Sequence, residues 1–179
     1  MLGSLQLVPA LDRPDLLADP VRRLLEQWPR ADEVEVAEID PQLADTEAFC
    51  MAYAIDLVSS ANCVVVAGRR GDDVRFAACL VLATTRADVN GVVRRRLDAR
   101  KASFAPLHQA VEDTGMEYGG ITPIGLPSTW PVLVDGAVVA AAQVVVGSGL
   151  RRSKLVLPGA AVAALPGVEV LPGLGQPTI

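Results

Sequence analysis

The sequence predicts a single domain of the α/β or α+β class. Its 179 residues suit one domain with a substantial buried core. Hydrophobic residues make up 51% of the chain and aromatic residues only 4%, so valine, alanine and leucine must supply most of the packing. This composition is typical of folds with buried strands, and local patterns place both helices and strands along the chain.

In the first third of the chain the patterns predict two helices with a strand between them. Apolar residues recur at helical spacing over residues 14–28. Acidic and apolar residues alternate over residues 33–39, which indicates a half-exposed strand. Residues 45–54 are predicted to form a short helix capped by Asp45 or Thr46, because both residue types accept hydrogen bonds from first-turn amides.

The middle of the chain is predicted to form a buried hairpin followed by two helices. Residues 62–67 and 74–83 are apolar runs separated by a polar turn, so they are expected to pair as strands. An aspartate opens the helix predicted at residues 88–97. A short extended piece at residues 103–104 leads to a helix at residues 106–113, which a proline opens and a glycine ends.

The last third is predicted to consist mainly of strands joined by turns of small residues. Strands are predicted at residues 132–134, 138–146, 155–157 and 168–171, and a helix at residues 158–165. The tail, residues 172–179, is rich in glycine and proline and is predicted to be loose.

One stretch, residues 114–127, does not fit a regular element. It contains four glycines and two prolines, which excludes a helix interior or a central strand. It also keeps apolar residues such as Met116, Tyr118 and Ile121, which are unusual in a solvated linker. The stretch is either a tight structural connection or a shaped, partly buried loop whose glycines let another group approach the backbone.

Within this stretch, residues 119–126 (Gly-Gly-Ile-Thr-Pro-Ile-Gly-Leu) resemble the signature loop of the YbaK / prolyl-tRNA-synthetase-associated domain family. Gly119 and Pro123 match that family's Gly-x-x-x-Pro pattern. The flanking segments, residues 101–105 and 132–135, keep the register of the family on both sides. The resemblance extends from about residue 31 to residue 170, most of the chain.

The resemblance implies an α/β fold, with one mixed, curved sheet of six or seven strands and helices packed around it. It also implies three parts along the chain. Residues 1–30 would be an arm and a helix packed on the domain, residues 31–171 the editing domain, and residues 172–179 a loose tail.

The family removes wrongly attached amino acids from tRNA, so the resemblance implies a deacylase acting on an aminoacyl-tRNA with a small amino acid, without metal or cofactor. In that reaction backbone N–H groups stabilise an oxyanion. Gly119 and Gly120 would frame the amino-acid pocket, and Pro123 would fix the shape of the loop. Ile121 and Thr122 would set the width of the pocket.

For further candidate residues the sequence leaves a functional and a structural interpretation open. The resemblance places Asp135 near the crevice, although an Asp-Gly pair also favours a simple turn. The Gly147–Ser148 pair is either the rim of the pocket or a hairpin turn, and Gly125 is a further candidate for substrate binding.

Asn62 stands where the resemblance places a lysine that contacts the substrate. Asparagine donates hydrogen bonds but carries no charge, so the charge-assisted part of that contact is lost. The substitution Asn62→Lys is therefore expected to raise the rate. Another cation would then have to replace the missing lysine, and the candidates are Arg151, Arg152 and Lys154. Without a replacement, the chain would be a weak deacylase or a non-catalytic module that binds an aminoacyl or nucleotide-like ligand.

The expected partners follow from charge and from the N-terminal segment. A net charge of −5 argues against a strong, sequence-independent hold on nucleic acid. Arg94, Arg95, Arg100 and Lys101 form either a solvated helix end or a patch for the phosphates of a weakly bound tRNA. An aminoacyl-tRNA synthetase is another expected partner, docked through residues 1–28, which should then be removable without harm to the fold. A dimer is also expected.

The sequence lacks the patterns that would indicate a histidine base, a metal site, a redox cysteine pair or a membrane segment. The chain has one histidine, His108, which is expected on a helix face and not as a base, and no His/Cys/Asp cluster with metal-ligand spacing. Its three cysteines form no Cys-x-x-Cys pair and lie in apolar surroundings, so they are expected to be buried, reduced thiols of a cytoplasmic protein. No signal peptide or apolar run of the ~20 residues that span a bilayer is found, so no membrane partner is expected.

Overall fold

In the computed structural model, which describes residues 2–178, apolar runs form the strands and proline or aspartate opens most of the helices. The strands are β1 (Val8–Pro9), β2 (Glu35–Glu38), β3 (Ala61–Arg70), β4 (Asp73–Leu82), β5 (Thr85–Ala87), β6 (Lys101–Phe104), β7 (Val132–Asp135), β8 (Val144–Gly147), β9 (Ser153–Leu157), β10 (Val168–Leu171) and β11 (Gly175–Pro177). The helices are α1 (Asp19–Leu25), α2 (Thr46–Tyr53), α3 (Arg94–Arg96), α4 (Leu107–Thr114), α5 (Gly136–Ala140) and α6 (Gly159–Val162).

A mixed five-stranded sheet forms the centre of the fold, in the order β10-β7-β4-β3-β6. The predicted hairpin is confirmed: β3 and β4 pair antiparallel along their whole length, from Ala61 opposite Leu82 to Arg70 opposite Asp73. Strand β6 pairs antiparallel with the other edge of β3. Strand β7 is parallel to both β4 and β10, so the sheet is mixed, as the resemblance implies.

A second, antiparallel sheet has the order β1-β2-β9-β8. An isolated parallel bridge between Ser60 and Val145 joins the start of β3 to β8, where the two sheets meet. The strands are thus divided between sheets of five, four and two and do not form one sheet of six or seven. The predicted single-domain α/β class is confirmed.

The N-terminal segment is part of the core and not a detachable arm. Leu16, Val21 and Leu25 are at most 1% exposed and belong to the main hydrophobic cluster together with residues of both large sheets. The predicted helix 14–28 is shorter than expected because residues 14–16 form a separate 3₁₀ turn. Because removal of this segment would expose the cluster, its burial argues against the expectation that it can be removed without harm to the fold. Met1 lies outside the described residues.

Two predictions for the C-terminal third are also wrong. The apolar run predicted as a strand at 138–146 begins instead as helix α5, because the Asp135 side chain accepts the Ala137 N–H and caps it. The tail is not loose: β11 pairs with β5, and Leu174 is fully buried. Its last residue, Ile179, lies outside the described residues.

The helix predicted at residues 88–97 forms as two parts. The Asp88 carboxylate accepts the N–H groups of Gly91 and Val92, and Val89–Val93 takes a π-helical turn before α3. Among the described helices none has the length and apolar character needed to cross a membrane.

Candidate active site

A cleft of about 400 Å³ lies where the two large sheets meet. It is bounded by the start of β3, the N-terminal end of α2, the segment from β6 to α4, and the β8–β9 hairpin. The last boundary is the irregular stretch 114–127, which is called the signature loop from here on. The lining residues are Ala44, Asp45, Thr46, Ala61, Asn62, Cys63, Val64, Val65, Phe104, Ala105, Leu107, Ala110, Tyr118, Gly119, Ile121, Gly147 and Lys154. The predicted site residues that lie together here are Asn62, Gly119, Ile121 and Gly147.

The two adjacent glycines of the signature loop have different roles. Gly119 lines the cleft with φ +78°, a left-handed conformation that favours glycine. Its N–H has no hydrogen-bond acceptor within residues 2–178. Gly120, in contrast, donates its N–H to the Glu117 carbonyl (3.0 Å) and accepts the Gly149 N–H (2.7 Å). The structure therefore corrects the prediction for Gly120, whose amide is used inside the protein.

The second half of the signature loop faces the protein interior. Thr122 and Pro123 are buried and do not line the cleft. Gly125 packs against helix α1, where a Cβ atom would come within 2.4 Å of the Pro20 carbonyl oxygen. These three residues therefore support the loop from the side of the protein interior, and none of them lines the cleft. The Thr122 hydroxyl has no hydrogen-bond partner among the described residues.

The signature loop packs against the β8–β9 hairpin backbone to backbone. Glu117 donates its N–H to the Gly149 carbonyl (2.8 Å). A Cβ atom on Gly147 would lie 2.3 Å from the Gly120 carbonyl oxygen, so only glycine fits at this position of the wall. Ser148 is fully buried, and its hydroxyl bonds to Ser153 (2.7 Å); it supports the hairpin and does not reach the cleft.

Asn62 faces the cleft, and Asp135 does not. The Asn62 side-chain oxygen accepts a hydrogen bond from the Thr46 hydroxyl, which links β3 to the start of α2. Asp135 is buried at the end of β7, where its carboxylate accepts the N–H groups of Ala137 and Gly175. Both carboxylate oxygens of Asp135 thus bond to main-chain amides. This supports its interpretation as a turn residue and corrects the expectation that it lies near the crevice.

The three cations that were candidates to replace a lysine at position 62 differ in their position relative to the cleft. Arg151 donates to the carbonyls of Tyr118 and Pro41 (both 3.2 Å) and spans the outside of the signature loop. Arg152 donates to the Asp15 carbonyl, away from the cleft. Lys154 lines the cleft itself, with its Nζ 2.9 Å from the Ala44 carbonyl oxygen.

Of the three cations that the sequence analysis named as replacements, Lys154 is the one that lines the cleft. Burial lowers the pKa of its ammonium to about 8; nearby Cys50 and Asp45 oppose that shift, and Arg151 adds to it. Burial also raises the pKa of the thiols of Cys50 and Cys63. A sequence signal did exist: Lys154 directly precedes an apolar run in a strand, and lysine is rarely buried unless it is paired or functional.

A second concave region, termed here the basic groove, has a volume of about 600 Å³ and is lined by Arg69, Asn90, Arg94, Arg100, Lys101, Ala102 and Ser103. None of its cationic side chains forms an ion pair with a described carboxylate. Three of the predicted tRNA contacts, Arg94, Arg100 and Lys101, lie in it, whereas Arg95 is exposed outside it. The described residues contain no group of three or more His, Cys, Asp or Glu side chains that could hold a metal ion.

The comparisons with known proteins agree with this geometry. The family model described as the aminoacyl-tRNA editing domain matches residues 40–165, more than half of the chain. Among solved structures, one described as a proposed trans-editing enzyme for prolyl tRNA synthetase has a TM-score of 0.74 at 21% identity and covers 89% of this chain and 96% of its own. The hypothetical protein APE2540 has a TM-score of 0.75 at 16% identity and covers 88% of this chain and 100% of its own. No curated protein matches the sequence.

Proposed function

The chain belongs to the aminoacyl-tRNA editing domain family, and on that premise we propose that it is a deacylase that hydrolyses tRNA mischarged with a small amino acid. The observation that carries the proposal is the cleft at the junction of the two sheets, which the signature loop enters with Gly119. Gly119 has no Cβ atom, and the guanidinium of Arg151 packs where a Cβ would lie, so glycine is needed at this position of the cleft wall.

The proposed reaction is hydrolysis of the ester between an amino acid and a terminal ribose oxygen. The oxygen of a water molecule bonds to the ester carbonyl carbon and gives a tetrahedral oxyanion. The bond from that carbon to the ribose oxygen then breaks, the ribose oxygen takes a proton from the attacking water, and the free amino acid leaves. The neighbouring ribose hydroxyl places the water, and the Gly119 N–H, which lacks an acceptor among the described residues, is available to the oxyanion.

The size of the cleft supports a small amino acid as the substrate. Alanines at positions 61, 105 and 110 and the branched side chain of Ile121 line it, within a total volume of about 400 Å³ that the ribose must share. We propose that, with the ribose in place, the remaining space admits a small amino acid and that a larger one clashes with these walls. Exclusion by clash is more selective than the ~1–3 kcal/mol that a missing methylene provides.

The basic groove supports tRNA as the carrier of that amino acid. Strand β6 connects it to the cleft: Lys101 lines the groove, and Phe104, three residues further, lines the cleft. At about 3.3 Å per residue, the two regions are about 10 Å apart along this strand. The unpaired cations of the groove would neutralise phosphates near the aminoacylated end, which gives salt-dependent binding.

The test is a deacylation panel with purified protein. We expect release of free amino acid from mismatched tRNAs that carry alanine, serine or cysteine, above the rate in buffer. A tRNA carrying phenylalanine is the matched control, and we expect no enzyme-dependent release from it. If none of the small amino acids is released above the buffer rate, the proposed activity is wrong.

Asn62 favours a second candidate, a non-catalytic module that binds an aminoacyl or nucleotide-like ligand. Its side chain faces the cleft but is uncharged and already bonded to Thr46. In that case an uncleavable amide mimic, 3′-alanylamino-adenosine, would bind while the corresponding ester would not turn over. Turnover of the ester at a rate that depends on cleft residues would exclude this alternative.

A further inference from the structure

Lys154 holds the one positive charge among the described residues that line the cleft. It lies on β9, whose residues are all buried, and pairs in register with Gly147 of β8 and Ala37 of β2. Lys154 itself is only 8% exposed. Its aliphatic stem and ammonium pack toward the Phe49 ring, with the Nζ atom 5.3 Å from the ring centroid.

The ammonium of Lys154 is held without an ion-pair partner. No described carboxylate lies within salt-bridge distance of it, and its hydrogen bond to the Ala44 carbonyl uses one of three N–H donors. A buried ammonium costs several kcal/mol unless charges and hydrogen bonds compensate it. A buried cation that faces a cleft with unused donors is therefore a strong candidate for contact with a ligand.

The other two candidate cations are committed elsewhere. Arg151 bonds to the carbonyls of Tyr118 and Pro41, and its Nη1 lies 3.9 Å from the Asp45 carboxylate at the edge of the cleft. Arg152 bonds to the carbonyl of Asp15. Neither residue lines the cleft. Position 62, where the resemblance places a lysine, holds an uncharged asparagine on the same cleft.

We propose that Lys154 is the substrate-contacting cation of this protein and that its Nζ binds the ester carbonyl oxygen and stabilises the oxyanion that forms there. The inference rests on the proposed deacylation. On this proposal the cationic residue of the cleft is supplied by β9 of the second sheet and not by the start of β3. A buried, fixed charge beside a developing oxyanion acts more strongly than it would in bulk water.

The pH profile gives a readout that a purely structural lysine would not move. The titratable or charged groups around the Lys154 ammonium are Cys50 on α2, Asp45 before α2, Cys63 on β3 and Arg151 in the β8–β9 hairpin. Burial raises the pKa of both thiols, so neither loses its proton before the ammonium does. The enzyme-dependent rate should therefore fall as the pH rises through about 8, the pKa of Lys154.

The experiment compares the wild type with Lys154→Met, Lys154→Gln and the double variant Asn62→Lys/Lys154→Met. We expect both single variants to lose about 100-fold in kcat, and the double variant, which returns a cation to the cleft from β3, to recover at least about tenfold of that loss. Lys154→Gln keeps a donor for the Ala44 carbonyl, so it stays informative if the methionine variant does not fold. Binding of 3′-alanylamino-adenosine should weaken in parallel.

The outcomes separate this inference from the proposed function. If the wild type hydrolyses the ester and the folded variants keep their kcat within about threefold, the role of Lys154 is overturned and the deacylase stands. If the wild type binds the mimic through Lys154 but releases no amino acid, the contact stands and the deacylase fails. If the wild type neither hydrolyses the ester nor binds the mimic, both are overturned.

Discussion

The cleft and the basic groove both carry positive charge, but they hold it in opposite surroundings. Lys154 is buried beside the Phe49 ring and the Ala44 carbonyl, whereas Arg69, Arg100 and Lys101 are exposed to solvent. Exposed charges are screened over about 8 Å at physiological salt. A buried charge is screened much less, so it acts more strongly on a neighbouring group.

This contrast assigns different tasks to the two regions. The groove can attract a polyanion of any sequence, at small cost to the fold, because its cations remain hydrated. The cleft carries a cation at a cost in stability, and buried charges of this kind are concentrated at functional sites. Changes in the cleft should therefore alter the chemical step, and changes in the groove should alter substrate binding.

The largest effect is expected from filling the wall of the cleft. In Gly147→Ala the new Cβ would lie 2.3 Å from the Gly120 carbonyl oxygen, and neither backbone can move aside without displacing the signature loop. A displacement of about 1 Å at a reacting centre costs about 100-fold in rate, so we expect at least that loss in kcat/KM. Gly136→Ala is the matched control, since its Cβ would meet nothing within 4 Å. Full activity of Gly147→Ala would contradict the placement of the active site.

The second prediction concerns the cost of the buried charge. The folded pKa of Lys154, about 8, is below its usual value of 10.5. Between these pH values the unfolded chain holds more protons than the folded chain, so stability rises with pH. Relative to Lys154→Gln, the free energy of unfolding of the wild type should increase by up to about 3 kcal/mol from pH 8 to pH 10.5. Chemical denaturation at several pH values measures this, and parallel curves for the two proteins would contradict it.

A smaller effect is expected in the groove. The triple variant Arg94→Gln/Arg100→Gln/Lys101→Gln should raise KM for aminoacyl-tRNA about tenfold and leave kcat unchanged. The slope of log affinity against log salt should become less steep by about one for each lost phosphate contact. Arg23→Gln, which removes an exposed cation on α1, is the control. If the triple variant lowers kcat with no change in KM, the proposed division of tasks between cleft and groove is wrong.

Local patterns were sufficient to predict the parts of the fold that depend on local chemistry. The hairpin of β3 and β4, helices α2 and α4, and the irregular signature loop follow from apolar runs, capping residues and glycine content. The same patterns could not separate helix α5 from a strand, because a short apolar run is compatible with either when both faces are buried. Nor could they predict the pairing of β11 with β5, which joins segments distant in sequence.

The candidate site shows the same limit. Gly119 and Asn62, two residues that the sequence analysis proposed for the site, both line the cleft. The amide of Gly120 is bonded inside the protein. For Asp135 and Ser148 the hydrogen bonds favour the turn, which the sequence had left open as an alternative. Which of two adjacent amides faces a cleft depends on the hairpin that packs against the loop. The place of Lys154 likewise depends on Ala44, 110 residues away in sequence.

Arg151 extends the comparison because its exposure is intermediate: its side chain is 29% exposed, between buried Lys154 and the exposed cations of the basic groove. It holds the signature loop through the Tyr118 carbonyl without entering the cleft. Arg151→Met should therefore raise KM only about threefold and cost about 1 kcal/mol of stability, the usual net value of a hydrogen bond. Arg152→Met is a close control: it also removes an arginine that bonds to a main-chain carbonyl, but that carbonyl belongs to Asp15. Equal KM values for the two variants would show that the loop needs no support from Arg151. A loss in kcat that occurs in Arg151→Met and not in Arg152→Met would show that the charge of Arg151 takes part in the reaction together with that of Lys154.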